Sequence, residues 1–256
     1  QLDLLMKYIE LSACLGKTPK EVTKKELLQR TSATPAVFNG LVERGVFEVY
    51  QQEIGRLNAA AARTTLPLNP LNEHQQRAYD SIVESFRTKN VCLLHGVTSS
   101  GKTEIYIHLI EKVIRQGKQV LYLLPEIALT TQITERLQRV FGSHLGIYHS
   151  KFPDAERVEI WQKQLSDSGY DIILGVRSSV FLPFRKLGLV IVDEEHENTY
   201  KQQDPAPRYH ARNAATVLAA LYGAKTLLGT ATPSIETWHN AMSGKYGLVE
   251  LKERYK

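Results

Sequence analysis

The stretch that decides the fold runs from Val91 to Thr103 and reads VCLLHGVTSSGKT. Its first four residues are apolar, which is typical of a strand covered on both faces. A loop rich in glycine and serine follows, and the apolar residues of Thr103–Arg115 have helical spacing. The spacing of the two glycines and of the closing Lys-Thr pair is that of a phosphate-binding loop. The sequence therefore predicts a strand, a loop and a helix that belong to an α/β domain.

The loop carries the groups that a nucleotide triphosphate needs. Its backbone amides and the helix N-terminus would surround the phosphates with N–H donors. We expect Lys102 to reach the β- and γ-phosphates and the Thr103 hydroxyl to ligate Mg²⁺. The predicted nucleotide-binding residues of the loop are Gly96, Val97, Thr98, Ser99, Ser100, Gly101, Lys102 and Thr103. ATP and Mg²⁺ are the predicted cofactors.

A second apolar run, Leu189–Val192, ends in two acidic residues. We expect Asp193 to hold the Mg²⁺ shell and Glu194 to polarise the attacking water. Such a strand end is weak evidence alone, because solvated strand ends are common. Together with the phosphate-binding loop it indicates a nucleotide triphosphatase.

Strands and helices alternate from Leu71 onward, which predicts a mainly parallel sheet with helices on both faces. The predicted strands are Val91–Leu94, Gln119–Leu124, Leu145–His149, Asp171–Leu174, Leu189–Asp193, Lys225–Leu228 and Tyr246–Leu251. The predicted helices are Gln75–Arg87, Thr103–Arg115, Ile127–Phe141, Ala155–Leu165, Ala211–Leu221 and Pro233–Ser243.

The N-terminal segment follows a different pattern of three short helices and one strand. Thr23 can cap the second helix through a capping box with Glu26. Thr34-Pro35 starts the third helix, and Val46–Tyr50 alternates like a strand. A winged-helix unit and a plain helical packing module both fit this pattern. The predicted domains are a winged-helix-like DNA-binding domain at 1–57, a linker at 58–70 and the α/β lobe at 71–256.

The composition narrows the classes of protein that remain. No apolar run approaches the roughly 20 residues of a membrane span, and the first residues lack the pattern of a signal peptide. The two cysteines, Cys14 and Cys92, have neither disulfide-framework nor zinc-site spacing. A net charge of +5 allows a polyanionic partner without requiring one. We therefore expect a cytoplasmic protein with no membrane partner.

Several motifs resemble those of superfamily 2 helicases, in the order that superfamily has them. Asp193–His196 reads DEEH and resembles motif II. The upstream glutamine motif and motifs Ia and III are matched by Leu71–Gln75, Pro125–Leu129 and Gly229–Pro233. The resemblance implies a RecA-like lobe in which Gln75 reads the adenine edge. It also implies that His196, Thr230 and Thr232 couple the nucleotide site to DNA.

Three further stretches resemble the PriA family of replication-restart helicases: Gly175–Phe184, the His149-Ser150 pair and Asp193–Arg212. The resemblance implies an ATP-dependent 3′→5′ DNA helicase that recognises stalled forks and initiates replication restart and primosome assembly. The partners it implies are forked and single-stranded DNA, primosome proteins and single-strand-binding protein. The segment before Leu71 has no comparable signature but occupies the position of that family's winged helix.

In that family an aromatic-rich loop that senses single-stranded DNA follows motif II. The resemblance implies stacking faces from Tyr200, Tyr209 and His210 and phosphate contacts from Lys201, Arg208 and Arg212. Arg177 is the expected strand-contacting residue upstream, with a salt-bridged structural arginine as the alternative. The sequence Asp204–Pro207 stands where relatives often carry a tryptophan.

Few residues follow Pro233, too few for the second RecA-like lobe that a superfamily 2 motor needs. The zinc-binding cysteines of the PriA family are also absent from the chain. We therefore expect a fragment that contains the winged helix and the first lobe and that hydrolyses ATP poorly alone. Another superfamily 2 DNA translocase, a DNA-binding module with a structural nucleotide fold and a small-molecule P-loop kinase are the alternatives.

Overall fold

The computed structural model describes residues 2–14, 22–31, 33–49, 66–98, 100–126, 128, 131–149 and 152–253. The chain divides into two compact units, Gln1–Gln52 and Glu53–Lys256. Most of the predicted linker, 58–65, lies outside the described residues. No helix within the described ranges is long and apolar enough to cross a membrane.

The first unit is helical. Its helices are α1 (Leu2–Ser12), α2 (Lys24–Gln29) and α3 (Pro35–Glu43). The Thr23 hydroxyl accepts a hydrogen bond from the main-chain amide of Glu26 at 3.2 Å, which confirms Thr23 as the N-cap of α2. The apolar side chains that face inward form a small core of Leu4, Leu27, Phe38, Leu41 and Phe47.

The strand predicted at Val46–Tyr50 is wrong for its described part, Val46–Val49, which forms no strand. The amides of Val46 and Phe47 donate to the Leu41 carbonyl at 2.9 and 3.3 Å, so they close helix α3. Gly45, at φ +70°, makes that closure possible because glycine adopts positive φ without strain. Tyr50 lies outside the described residues.

The second unit is built on a seven-stranded sheet with the strand order β3-β4-β2-β5-β6-β1-β7, and every pairing is parallel. Its strands are β1 (Val91–Gly96), β2 (Gln119–Leu123), β3 (Leu145–Tyr148), β4 (Ile172–Gly175), β5 (Leu187–Asp193), β6 (Lys225–Thr230) and β7 (Gly247–Leu251). Its α-helices within the described residues are α4 (Glu73–Thr88), α5 (Lys102–Arg115), α6 (Thr131–Phe141), α7 (Asp154–Leu165), α8 (Ala211–Leu221) and α9 (Ile235–Met242). The predicted α/β fold class is confirmed, and the predicted strands and helices differ from these mainly at their ends.

Helices cover both faces of this sheet, which explains the unbroken apolar runs in its strands. In β1, Cys92 and Leu94 face one core while Leu93 faces the other, since side chains alternate along a strand. Helices α4, α5 and α6 pack on the first face, and α7, α8 and α9 pack on the second. The sheet is therefore a buried central layer.

The parallel pairing brings three strand ends to one edge. Asp193 at the end of β5 pairs with Gly229, and His95 near the end of β1 pairs with Thr230. Ligands of open α/β sheets bind at this carboxyl edge. The loop after β1, the acids after β5 and the threonine that ends β6 thus lie beside one another.

We predict that Asn72→Ala lowers the free energy of unfolding by about 1 kcal/mol, because it removes the N-cap of helix α4. The Asn72 side chain accepts a hydrogen bond from the main-chain amide of Gln75, and the Gln75 side chain accepts one from the main-chain amide of Asn72, both at 2.9 Å. Urea denaturation followed by circular dichroism measures the change. Gln76→Ala, at an exposed position in the same turn, is the control, with an expected change below about 0.5 kcal/mol. Equal effects would contradict the capping role.

Candidate nucleotide site and the loop beside it

A cavity of about 530 Å³ opens at the carboxyl edge of the sheet, between the loop after β1 and the end of β5. It is lined by Asn69, Gln75, Thr98, Ser100, Gly101, Lys102, Thr103, Glu104, Arg136, Asp193 and Glu194. Most of these residues were expected from the sequence, whereas Asn69, Glu104 and Arg136 were not. Glu104 forms an ion pair with Arg136, which helix α6 contributes from a distant part of the chain. Ser99 lies outside the described residues.

The loop is shaped to hold a lysine beneath the cavity. Gly101 adopts φ +80°, a left-handed conformation that glycine favours, and helix α5 starts directly after it. The buried Lys102 donates to the Gly96 carbonyl at 3.0 Å and lies 3.5 Å from Glu194 Oε1. A Cβ on Gly96 would lie 3.0 Å from Ser100 Oγ, so glycine permits the close turn.

The polar groups that face the cavity fit a magnesium-bound nucleotide. The Ser100 hydroxyl is buried and has no hydrogen-bond partner within the described residues, so it can donate to a phosphate oxygen of a bound nucleotide. No cluster of three or more His, Cys, Asp or Glu side chains in the described ranges could hold a metal by itself. Mg²⁺ does not need one, because it is typically held by one or two carboxylates together with phosphates and water. Thr103 and Asp193 supply a hydroxyl and a carboxylate.

Asp193 is hydrogen-bonded on both carboxylate oxygens. Oδ1 accepts hydrogen bonds from the Tyr106 hydroxyl at 3.0 Å and the Glu194 amide at 3.1 Å. Oδ2 accepts one from the Tyr122 hydroxyl at 3.3 Å. Burial, followed by the negative charge of Glu194, raises the pKa of Asp193 to about 6. Glu194 itself adopts φ +46°, which is unusual for a residue with a side chain and typical of functional sites.

Glu194, Thr230 and His196 form one hydrogen-bonded chain. The Thr230 hydroxyl donates to Glu194 Oε2 at 3.4 Å and lies 2.8 Å from His196 Nδ1. Since Thr230 has one proton to donate, His196 donates through Nδ1 in this arrangement. The Thr232 amide donates to the same hydroxyl at 3.1 Å. The structure thus brings together the residues for which the sequence predicted a coupling role.

Gln75 lines the cavity and also forms hydrogen bonds through both ends of its side-chain amide. Its amide nitrogen donates to the Gly101 carbonyl at 3.4 Å, while its side-chain oxygen serves the capping box with Asn72. The side chain is almost fully buried. Each end of the amide thus has one partner within the chain and can make a further hydrogen bond, so the reading of the adenine edge by Gln75 stays a prediction.

Tyr200 is placed differently from the sequence prediction. It is 1% exposed, and its hydroxyl, which has one proton to donate, lies 2.6 Å from the main-chain carbonyl oxygen of Asp193 and 3.1 Å from that of Leu123. A base cannot stack on a ring that is enclosed by the core. Tyr200 instead ties the segment after β5 to the sheet.

Arg212, predicted to contact phosphate, lies in a buried polar cluster. Its guanidinium donates to Glu195 Oε2 at 2.7 Å, and Glu195 is fully buried. The same carboxylate accepts hydrogen bonds from the main-chain amide of Ser234 at 2.8 Å and from the Thr237 hydroxyl at 2.9 Å. The cluster connects motif II with the start of helix α9, so the prediction of a phosphate contact is wrong for Arg212.

The remaining predicted DNA contacts lie on or near a surface loop, residues 201–210. Gln202 and Tyr209 are joined by a main-chain hydrogen bond of 2.9 Å, and Lys201 forms an isolated bridge with His210. Arg208 is exposed at the tip. Arg177 donates to the carbonyls of Thr199 and Lys201, at 3.2 and 3.3 Å, so it anchors the base of this loop.

Tyr209 has an aromatic neighbour that the sequence reasoning missed. Phe181 is 53% exposed, and its ring packs edge-on against Tyr209 with centroids 4.9 Å apart. The Tyr209 hydroxyl hydrogen bonds with the Arg177 guanidinium. Burial and the charges of Arg212 and Lys201 lower the pKa of His210, which favours its neutral form. Phe181 lies within the motif Gly175–Phe184, and its exposure is what the sequence did not reveal.

Two family models match the chain. The model described as DEAD/DEAH box helicase matches residues 72–241. The model described as winged helix domain, PriA helicase, Bacteroidota matches residues 1–54. The second match favours the winged-helix interpretation over a plain helical packing module.

Curated relatives named replication restart protein PriA are similar over most of the chain. The Chlamydia trachomatis protein is 40% identical over 94% of the chain, and the Bacillus subtilis protein is 38% identical over 91%. The Rickettsia conorii protein is 47% identical over 74% of the chain. The chain spans between 28% and 32% of the length of these relatives.

Solved structures share the fold at lower identity. RecG bound to a three-way DNA junction matches with a TM-score of 0.53 and 19% identity, covering 100% of this chain and 29% of that one. The DUF1998 helicase MrfA bound to DNA and AMPPNP matches with a TM-score of 0.52 and 18% identity, covering 81% of this chain and 30% of that one.

We predict that Arg212→Ala lowers the free energy of unfolding by about 3 kcal/mol, because it leaves the Glu195 carboxylate buried without its cation. Thermal or urea unfolding measures the loss. Arg208→Ala removes the same side chain from an exposed position of the neighbouring loop and is the matched control, with a change below about 0.5 kcal/mol. A mild effect of Arg212→Ala on stability would contradict its structural role.

Proposed function

The chain belongs to the DEAD/DEAH box helicase family, and we propose that it is the ATP-binding lobe of a PriA-type DNA helicase. The observation that carries this proposal is the convergence of the phosphate-binding loop, Asp193 with Glu194, and Thr230 at one edge of the sheet. The proposed whole protein unwinds DNA in the 3′→5′ direction at stalled forks and starts replication restart. Primosome proteins and single-strand-binding protein are its proposed partners.

The proposed domain assignment keeps the winged helix at 1–57, the linker at 58–70 and the RecA-like lobe at 71–256. The match of the PriA winged-helix model to residues 1–54 supports the first of these. A winged helix and a motor lobe in one chain suit a protein that first recognises a DNA structure and then moves along one strand of it. The relatives' name, replication restart protein, supports the proposed role in replication restart.

The loop amides, Lys102 and the start of helix α5 would hold the triphosphate at the cavity floor. Thr103 and Asp193 would hold Mg²⁺, which when bound neutralises phosphate charge during transfer. Lys102 lies 3.5 Å from Glu194 in this structure. Phosphate oxygens compete for the same ammonium group, so nucleotide binding leaves Glu194 free to orient water and accept its proton.

Thr230 connects the catalytic acid to the rest of the lobe. Its hydroxyl contacts Glu194 and His196, and it ends the strand that leads to helix α9. A shift of this strand end by DNA would therefore change the hydrogen bonds of Glu194 directly. This is a short route for making hydrolysis depend on DNA.

The proposed DNA-contact surface is the exposed part of the 201–210 loop together with Phe181. Phe181 and Tyr209 offer an aromatic edge, and Lys201 and Arg208 offer positive charge. Stacking and phosphate neutralisation are the two terms by which single strands bind without sequence preference.

We predict that Lys102→Ala and Glu194→Gln each lower the DNA-stimulated rate of ATP hydrolysis at least about 100-fold in the intact protein. Lys102→Ala also weakens nucleotide binding because it removes a phosphate ligand, whereas Glu194→Gln preserves binding and loses the base. A coupled assay with single-stranded or forked DNA measures the rates. Glu84→Gln, an exposed carboxylate on α4, is the control.

Hydrolysis that persists in both variants would contradict the proposed site. Hydrolysis that disappears in both variants but never responds to DNA would keep the triphosphatase and reject the helicase. Transfer of phosphate to a small-molecule acceptor would favour a P-loop kinase.

We predict that Phe181→Ala weakens single-stranded DNA binding about 10-fold without changing its salt dependence, because it removes a stacking face and no charge. Arg208→Ala should instead reduce the slope of log affinity against log salt by about 0.7. Fluorescence anisotropy with an oligothymidylate at several salt concentrations measures both quantities. Leu221→Ala, at an exposed apolar position on α8, is the control. Unchanged affinity in both the Phe181 and the Arg208 variant would mean that single-stranded DNA binds elsewhere on the protein.

A further inference from the structure

Two tyrosines outside the known motif positions hold the carboxylate of Asp193. Tyr106 donates to Oδ1 at 3.0 Å and Tyr122 donates to Oδ2 at 3.3 Å. Both rings are completely buried, and they pack edge-to-face with centroids 5.6 Å apart and an interplanar angle of 77°. Each oxygen of one acid therefore has its own tyrosine hydroxyl.

The two tyrosines come from the elements that build the nucleotide site. Tyr106 is one helical turn after Thr103 on α5, and residues three apart on a helix lie on the same face. Tyr122 lies on β2, which pairs with β5 so that Tyr122 is opposite Ile191, two residues before Asp193. The phosphate-binding helix and the neighbouring strand are thus both connected to the acid.

Gly229 makes room for this arrangement. It pairs with Asp193 in the sheet, and a Cβ at this position would lie 1.8 Å from the Tyr106 hydroxyl oxygen. Any side chain there would displace the hydroxyl from Asp193. The glycine of the Gly229–Pro233 motif is therefore explained by the tyrosine beneath it.

We propose that Tyr106 and Tyr122 are positioning residues that fix the Asp193 carboxylate in the orientation that receives Mg²⁺. An ionised carboxylate offers about four lone-pair directions. The two hydroxyls and the Glu194 amide occupy three of them. One direction is left, and the metal or a water bound to it would occupy that direction. This inference rests on the proposed function.

A buried hydroxyl needs an acceptor, but that requirement alone does not explain the contacts. Tyr200 is buried in the same region, and its hydroxyl has only main-chain carbonyls, those of Asp193 and Leu123, as its acceptors in the described residues. Main-chain carbonyls therefore suffice for a buried tyrosine here. Tyr106 and Tyr122 bind the acidic side chain itself, as groups that orient a metal ligand do.

The test is the magnesium requirement for binding a nonhydrolysable ATP analogue to the intact protein. In Tyr106→Phe the Mg²⁺ concentration for half-maximal binding should rise about 10-fold, the lower end of the range for partners of metal ligands. Affinity for the analogue in EDTA should stay unchanged, because the phosphate-binding loop is intact. Tyr122→Phe should act in the same direction, and Tyr222→Phe, whose hydroxyl donates to the Phe184 carbonyl, is the control.

Gly229→Ala provides an independent route, since it displaces the Tyr106 hydroxyl without removing it. It should raise the magnesium requirement like Tyr106→Phe. A lower melting temperature with an unchanged magnesium requirement in both tyrosine variants would reduce them to structural roles and overturn the inference. A loss of affinity for the analogue in EDTA as large as the loss in Mg²⁺ would also overturn it. Absence of magnesium-dependent nucleotide binding in the wild-type protein would instead reject the proposed function, and the inference with it.

Discussion

The parallel pairing of β5, β6 and β1 is the constraint on which the site depends. It fixes Asp193 beside Gly229 and His95 beside Thr230, and each of these residues lies near the carboxyl end of its strand. Nothing in the local sequence of any one strand provides this neighbourhood. Helices on both faces bury most residues of these strands, so a change of register would disrupt close packing on both sides of the sheet.

The second requirement is electrostatic. Asp193 and Glu194 are adjacent acids at a partly buried edge, and their repulsion together with burial raises the pKa of Asp193. Lys102 and two tyrosine hydroxyls offset part of this unfavourable energy. The Mg²⁺ of a bound nucleotide would place positive charge next to the acids, and the phosphates would contact Lys102. The arrangement is thus complementary to its proposed ligand.

Much of the fold was predictable because its signals are local. The motif of Val91–Thr103, the apolar runs and the helical spacing each depend on neighbouring residues. The burial of Tyr200 and Arg212, which the sequence did not predict, depends on contacts with residues distant in the sequence. Tyr200 was expected to stack on DNA, yet its hydroxyl bonds to the Leu123 carbonyl, and Arg212 is held by Glu195. Position in a loop after motif II cannot distinguish a buried aromatic residue from an exposed one. The role of Tyr106 could have been suspected, since it follows Thr103 by one helical turn.

The most direct test is a crystal structure of the intact protein with Mg²⁺ and a nonhydrolysable ATP analogue. The account predicts the triphosphate against the amides of Val97–Thr103 and the metal between the Thr103 hydroxyl and the Asp193 carboxylate. Lys102 should then contact phosphate and no longer Glu194. A nucleotide bound elsewhere, or a metal that does not approach Asp193, would contradict the account.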